Sequence, residues 1–211
     1  MLNRYARAGL TRLLTPVALL LLRLRVTPDA VTVAGTVGVV VSALVLYPRG
    51  ELFWGTIAIT CFVFTDALDG TMARLSGRTS AWGAFLDSTL DRFGDAAVFG
   101  GLLLYATGSG AGTSGARALA VLALANLVLG FVVSYARARA EAVGARADVG
   151  IVERSERLVV TLVVTGFTGL FLPQGVLVAA LALLAAGSAT TLVQRLSLVR
   201  SQLRDRVPAG G

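Results

Sequence analysis

FTDALDGTMARLSGRTSAWGAFLDSTLDRFGD, residues 64–95, sets four aspartates, Asp66, Asp69, Asp87 and Asp91, into sequence that is otherwise apolar and helix-forming. A carboxylate at the centre of a bilayer costs on the order of 3 kcal/mol, so such residues are rare there and mark function. Asp66 and Asp69 are three apart and share one helix face; Asp87 and Asp91 are four apart and share another. A short connection joins the two helices, so the faces can meet. Four carboxylates brought together repel unless cations offset them. Hard divalent cations take oxygen ligands, and Mg²⁺ is held by carboxylates together with substrate phosphate. The pattern points to a site for two metal ions, Mg²⁺ with Mn²⁺ able to substitute. Asp95 continues the second face by one turn and is read as a partner for a neighbouring helix. An ion-pathway reading, as in a cation-coupled transporter, is the alternative that the acids alone leave open.

The rest of the chain is membrane-like. Hydrophobic residues make up 55% and charged residues 15% of the sequence, and mean hydropathy is +0.78, which is far from the balance of a soluble domain. Every polar stretch is short, so residues 1–211 read as one all-α membrane domain. Histidine is absent, which excludes Ser-His-Asp and Cys-His catalysis and histidine-ligated zinc. The single cysteine, Cys61, lies in an apolar run and reads as packing. The net charge is +7, and every basic residue is arginine. These arginines gather at the ends of apolar segments, which argues for topology and anionic lipid headgroups rather than nucleic acid.

A span needs about 20 apolar residues. Residues 1–28 read as an interfacial amphipathic helix, with the short apolar run Leu13 to Leu22 and with Arg4, Arg7 and Arg12 among headgroups; no cleavable signal is read there. Six transmembrane helices follow within a core of residues 30–199. They run from about Ala30 to Leu46, Leu52 to Ala73, Ala81 to Thr107, Ala116 into the segment Ser134–Glu141, Glu156 to Leu172 and Val176 to Val199. Residues 200–211 read as a polar tail that frays. Arginines crowd one set of helix ends, and the other set holds only Arg49 and Arg117. The positive-inside rule then places both termini and the aspartates on the cytoplasmic side of the cell membrane.

The intervals Asp66-x2-Asp69-Gly70-x2-Ala73-Arg74-x8-Gly83-x3-Asp87-x3-Asp91 match all eight fixed positions of a known signature. With it, the chain resembles the CDP-alcohol phosphatidyltransferases along its whole length. That resemblance implies transfer of a phosphatidyl group from a CDP-linked lipid to an alcohol, with release of CMP, by a homodimer. It also implies that Asp66, Asp69 and Asp87 ligate the metals, and that Asp91 ligates one and acts as general base. Gly70, Ala73, Arg74 and Gly83 would border the CDP moiety, with Ser80 in reach of the nucleotide. The residues agree with this on physical grounds. Gly70 and Ala73 let a ligand approach the helix closely, Arg74 offers a cation to phosphate, and a carboxylate is the natural proton acceptor where histidine is absent.

The acceptor is read from a second segment. Ser134-Tyr135-Ala136-Arg137-Ala138-Arg139-Ala140-Glu141 is followed by Gly150-Ile151-Val152-Glu153-Arg154-Ser155-Glu156-Arg157. Arginine at this density suits a second phosphate, which it can bind in bidentate fashion. Together with Val193-Gln194-Arg195-Leu196, the pattern resembles actinobacterial phosphatidylinositol phosphate synthases. Arg137 stands where these commonly have Lys, and Ser155 where they commonly have Pro. By this resemblance Ser134, Arg137, Arg157 and Arg195 would bind inositol phosphate, with Arg139 and Arg154 in support, and CDP-diacylglycerol would be the donor. Glycerol phosphate is the alternative acceptor.

Overall fold

Thr27-Pro28 starts the first long helix by two local devices. The Thr27 hydroxyl accepts from the Ala30 N–H at 3.2 Å, and Pro28 sits where a helix needs no amide hydrogen. In this computed structural model, which describes residues 14–77 and 80–204, the described residues form helices joined by turns and loops and contain no strand. The side chain of Asp66 also lies outside what is described. The helices are α1 (Leu14–Arg23), α2 (Pro28–Leu46), α3 (Leu52–Ser76), α4 (Ala81–Thr107), α5 (Ala116–Ala142), α6 (Arg154–Thr168) and α7 (Gln174–Arg204).

Six of these close a ring. Helix α2 packs on α4, α4 on α5, α5 on α7, α7 on α6, α6 on α3, and α3 back on α2. The core runs through the middle of the ring, from Val39, Ala43 and Ile59 to Phe99, Leu102, Leu119 and Leu181. Small residues set the closest approach: a Cβ on Gly101 would lie 2.5 Å from the Ala43 carbonyl oxygen, so α4 can meet α2 there only as glycine. Large apolar side chains such as Leu183, Phe171 and Trp54 point outward, as lipid-facing residues do.

Pro28–Arg49, Leu52–Ser76, Ala116–Ala142 and Gln174–Arg204 are long and apolar enough to cross a membrane. The other two ring helices differ from the sequence reading for identifiable reasons. Helix α4 has the length, but Asp87, Asp91, Arg92 and Asp95 lie in it. Helix α6 has only 15 residues. At 1.5 Å per residue it spans about 22 Å, short of a hydrocarbon core of about 30 Å.

Four boundaries also move, the first being the end of α6, at Thr168 rather than Leu172. Helix α1 stops at Arg23, and the chain turns at Arg25, whose φ is 60°, so residues 24–28 are not part of an interfacial helix. Residues 1–13, with Arg4, Arg7 and Arg12, lie outside the described residues. Helix α3 continues past Ala73 to Ser76, where Gly77 at φ 64° ends it. Helix α7 continues past Val199 to Arg204 because Gln202 is clamped: its side chain accepts from the Arg146 N–H at 2.9 Å and donates to the Arg146 carbonyl at 2.8 Å.

Candidate active site

Asp69 of α3 faces Asp87 and Asp91 of α4 across a shared space. Asp69, Asp87 and Asp91 line a cavity of about 50 Å³ together with Thr32, Thr65 and Arg154. Water needs about 10–15 Å³ by the same measure, so this space fits a few waters or ions and excludes a sugar. Asp87 repels both Asp69 and Asp91. Asp69 is 7% exposed, and its Oδ2 is buried with no hydrogen-bond partner. A buried carboxylate oxygen without a donor is costly, and a hard cation would satisfy it. Asp91 Oδ2 instead meets Arg154 Nη1 at 2.8 Å. Among the described residues no three acidic, histidine or cysteine side chains gather closely enough to hold an ion. Asp66, three residues before Asp69 on α3, contributes only its backbone to this picture.

A second cavity, of about 270 Å³, opens from the first. Gly70, Ala73, Ser80 and Gly83 line it, and it shares Thr32, Asp69 and Asp87 with the acidic cavity. Gly70 is not small because a neighbouring helix crowds it. A Cβ there would find only Arg74 Nη1, at 3.4 Å, and one on Gly83 would find only Ser80 Oγ at 3.5 Å and Asp29 Oδ1 at 4.0 Å. These glycines leave room on the cavity side. Ser80 also caps α4, accepting from the Gly83 N–H at 3.0 Å, so the positive end of α4 faces the same space. Arg74 does not line the cavity; it folds along α3 and donates to Thr71 Oγ1 at 3.1 Å. Asp29 and Thr32 line this space without having been singled out by sequence. Asp29 accepts from Trp82 Nε1 at 3.1 Å, which ties the start of α2 to the start of α4.

A third cavity, of about 950 Å³, adjoins both of the others: its lining shares Ala84 with the second and Arg154 with the acidic one. Ser134, Arg137, Arg157 and Arg195 all line it, as the sequence reading expects. Each is held differently. Arg157 is 2% exposed and donates to Asp95 Oδ2 at 2.9 Å. Arg195 donates to the carbonyls of Val133 and Val149 at 2.8 and 3.0 Å, fastening α7 to α5 and to the 143–153 loop. Ser134 accepts from Arg92 and donates to the Gly130 carbonyl. Arg137 is exposed and pairs with Glu141 at 3.1 Å. Arg139 does not line this cavity. Arg154 lines both it and the acidic cavity, and is the one residue those two linings share. The arginine pair is set by the start of α6, where Glu156 accepts from the Glu153 N–H at 3.0 Å. Sequence reading took Glu153 and Glu156 as part of an arginine-rich stretch and did not see the cap.

Three neighbouring spaces therefore share their walls: one beside small residues, one acidic, one lined by arginine. The model of the family described as CDP-alcohol phosphatidyltransferase matches residues 25–193. The chain belongs to the CDP-alcohol phosphatidyltransferase family. As a CDP-alcohol phosphatidyltransferase it is an enzyme, and its relatives narrow the class. It is 53% identical to the phosphatidylinositol phosphate synthase of Streptomyces avermitilis over 96% of this chain and 84% of that one. It is 47% identical to the enzyme of the same name from Cutibacterium acnes over 92% of this chain and 95% of that one. Among solved structures, Mycobacterium tuberculosis phosphatidylinositol phosphate synthase with CDP-DAG bound matches at a TM-score of 0.83 and 44% identity, covering 89% of this chain and 94% of that chain. The same mycobacterial enzyme in complex with manganese and citrate matches at a TM-score of 0.82 and 44% identity, over 89% of this chain and 88% of that chain.

Proposed function

We propose that this CDP-alcohol phosphatidyltransferase moves the phosphatidyl group of CDP-diacylglycerol to a hydroxyl of myo-inositol phosphate, giving phosphatidylinositol phosphate and CMP. The observation that carries this reading is that three neighbouring cavities of different chemistry share their walls, with Arg154 common to the acidic space and the arginine-lined one. A nucleotide beside Gly70, Ala73, Ser80 and Gly83 would bring its diphosphate to Asp69 and Asp87, which those two spaces share. An acceptor phosphate held by Ser134, Arg137, Arg157 and Arg195 would bring a ring hydroxyl to Asp91 from the other side. Arg74, which stands beside Gly70 rather than in the cavity, would reach the nucleotide only by leaving Thr71.

In the reaction the acceptor oxygen bonds to the phosphatidyl phosphorus, the bond from that phosphorus to CMP breaks, and the hydroxyl proton passes to a carboxylate. Asp91 suits that task. Its Oδ2 is engaged by Arg154, while Oδ1 has no partner among the described residues. General-base assistance of this kind contributes about 10²–10⁴ in rate. Asp66, Asp69, Asp87 and Asp91 would hold two Mg²⁺ ions, with Mn²⁺ able to substitute. When bound, these supply the positive charge that offsets the diphosphate and the departing CMP. The orphaned oxygen of Asp69 and the all-carboxylate donor set support this fit.

The same reading treats residues 1–211 as one membrane domain with six transmembrane helices, α2 to α7, after an interfacial α1. Helix α6 would cross with its short length because the apolar residues Leu170, Phe171 and Leu172 continue past its end. Both termini and all three cavities would face the cytoplasm, and two copies would form a homodimer. Incubation of purified protein with CDP-diacylglycerol and inositol phosphate, with CMP as the readout, tests the activity. CMP release that does not depend on the acceptor would refute it.

A further inference from the structure

Asp95 belongs to none of the three cavities, yet three arginines that line the largest of them converge on it. It lies on α4 one turn beyond Asp91 and is 3% exposed. Its Oδ1 accepts from Arg154 Nε at 3.2 Å, and its Oδ2 accepts from Arg157 Nη2 at 2.9 Å and lies 3.6 Å from Arg92 Nη1. All three arginines line the large cavity. Arg154 also reaches Asp91, and Arg92 donates to Ser134. Three arginines thus share two carboxylates, which leaves one positive charge in excess for an anion in the cavity. Guanidinium groups carry five donors in a fixed fork, so one edge can rest on Asp95 while another stays free for a ligand.

We propose that Asp95 is a positioning residue for the acceptor: from inside the protein it orients Arg92, Arg154 and Arg157 toward the acceptor phosphate, and so sets the KM for that substrate without touching it. This rests on the acceptor reading above. The close fit around the cluster agrees with a positional role. A Cβ on Gly130 would stand 2.8 Å from Arg157 Nη2, so the guanidinium lies directly against the α5 backbone at this glycine.

The sign of the effect separates positioning from simple electrostatics. Asp95→Asn removes a negative charge beside the cavity. If charge alone mattered, a phosphorylated acceptor would bind more tightly. Positioning requires the reverse: the KM for inositol phosphate rises at least about tenfold, as for loss of oriented charged hydrogen bonds, while the KM for CDP-diacylglycerol stays within about twofold. Asp95→Glu keeps the charge and moves the carboxylate by one methylene, so the KM for inositol phosphate should rise about threefold. The experiment measures CMP release by wild type and both variants over a range of each substrate, with melting temperatures recorded in parallel. An unchanged or lowered KM for inositol phosphate in Asp95→Asn overturns the proposal, whatever happens to stability. Where Asp95→Asn yields no folded protein, Asp95→Glu decides: a selective rise supports the proposal and an unchanged KM overturns it. Wild-type protein that fails to use inositol phosphate removes the acceptor reading, and this inference with it. A wild type that uses it beside variants of unchanged KM removes this inference alone.

Discussion

The acidic cavity and the arginine-lined cavity are neighbours, yet they treat charge in opposite ways. In the first, Asp69 keeps a buried oxygen without a donor, and Asp87 has no partner among the described residues. In the second, each arginine is already fastened: Arg157 to Asp95, Arg195 to two carbonyls, Arg137 to Glu141. The contrast teaches what each side lacks. On the proposed reading, the carboxylates are left to be completed by cations from outside. The arginines are held by the protein itself, so that a phosphate would meet donors already in place and less side-chain freedom would be lost on binding.

The comparison breaks most visibly on the acidic side. Asp66→Asn, Asp69→Asn and Asp87→Asn should each abolish turnover, and EDTA should do so reversibly on readdition of Mg²⁺. Full activity in EDTA would contradict the metal reading. Asp91→Asn should lose about 10²–10⁴ in kcat yet still bind CDP-diacylglycerol, as checked by a direct binding measurement. On the basic side losses should fall on one substrate. Arg157→Ala or Arg195→Ala should raise the KM for inositol phosphate about 10- to 100-fold, since a charged hydrogen bond contributes about 1.5–3 kcal/mol, with little change for CDP-diacylglycerol. Arg157→Lys should recover only part, because the fork geometry is lost. Gly130→Ala should have a smaller effect of the same kind, because a methyl 2.8 Å from Arg157 Nη2 displaces the guanidinium without removing it. An unaltered KM in that variant would show that the place of Arg157 does not matter.

The least direct check concerns side rather than rate. In a Cys61→Ser background, a cysteine at Arg146 should react with an impermeant thiol reagent only once the cytoplasmic face is opened, and one at Ser109 should react from outside. Reversed labelling would place the cavities in the wrong compartment.

Much of this was legible from spacing. Period and composition placed the six ring helices to within a few residues at most of their ends, because apolar runs and the Pro/Gly breaks at Pro48–Gly50 and Pro173–Gly175 are local signals. Of the arginines that line the large cavity, Arg137, Arg154, Arg157 and Arg195 were legible through the resemblance; Arg92 was not, and Arg139, read in support, does not line it. What stayed hidden depends on contacts between distant elements. The Asp95 cluster joins residues about sixty positions apart, and the only sequence trace of it is that Asp91 and Asp95 share one face of α4 while Arg154 and Arg157 share one face of α6. The length of α7 was hidden for the same reason, since Gln202 holds a loop from another part of the chain. Arg74 shows the converse: its type and place in the motif suggest phosphate, while its position is set by Thr71 one turn away.

The central claim is that a phosphate-bearing acceptor enters from the arginine side and a CDP-linked donor from the other. The most direct test offers purified protein CDP-diacylglycerol with inositol phosphate, free inositol or glycerol phosphate, one at a time, and follows CMP. The account predicts rapid release with inositol phosphate, and poor release with free inositol, which brings no charge to the arginines, and with glycerol phosphate. Equal release with inositol and inositol phosphate, or preference for glycerol phosphate, would contradict it.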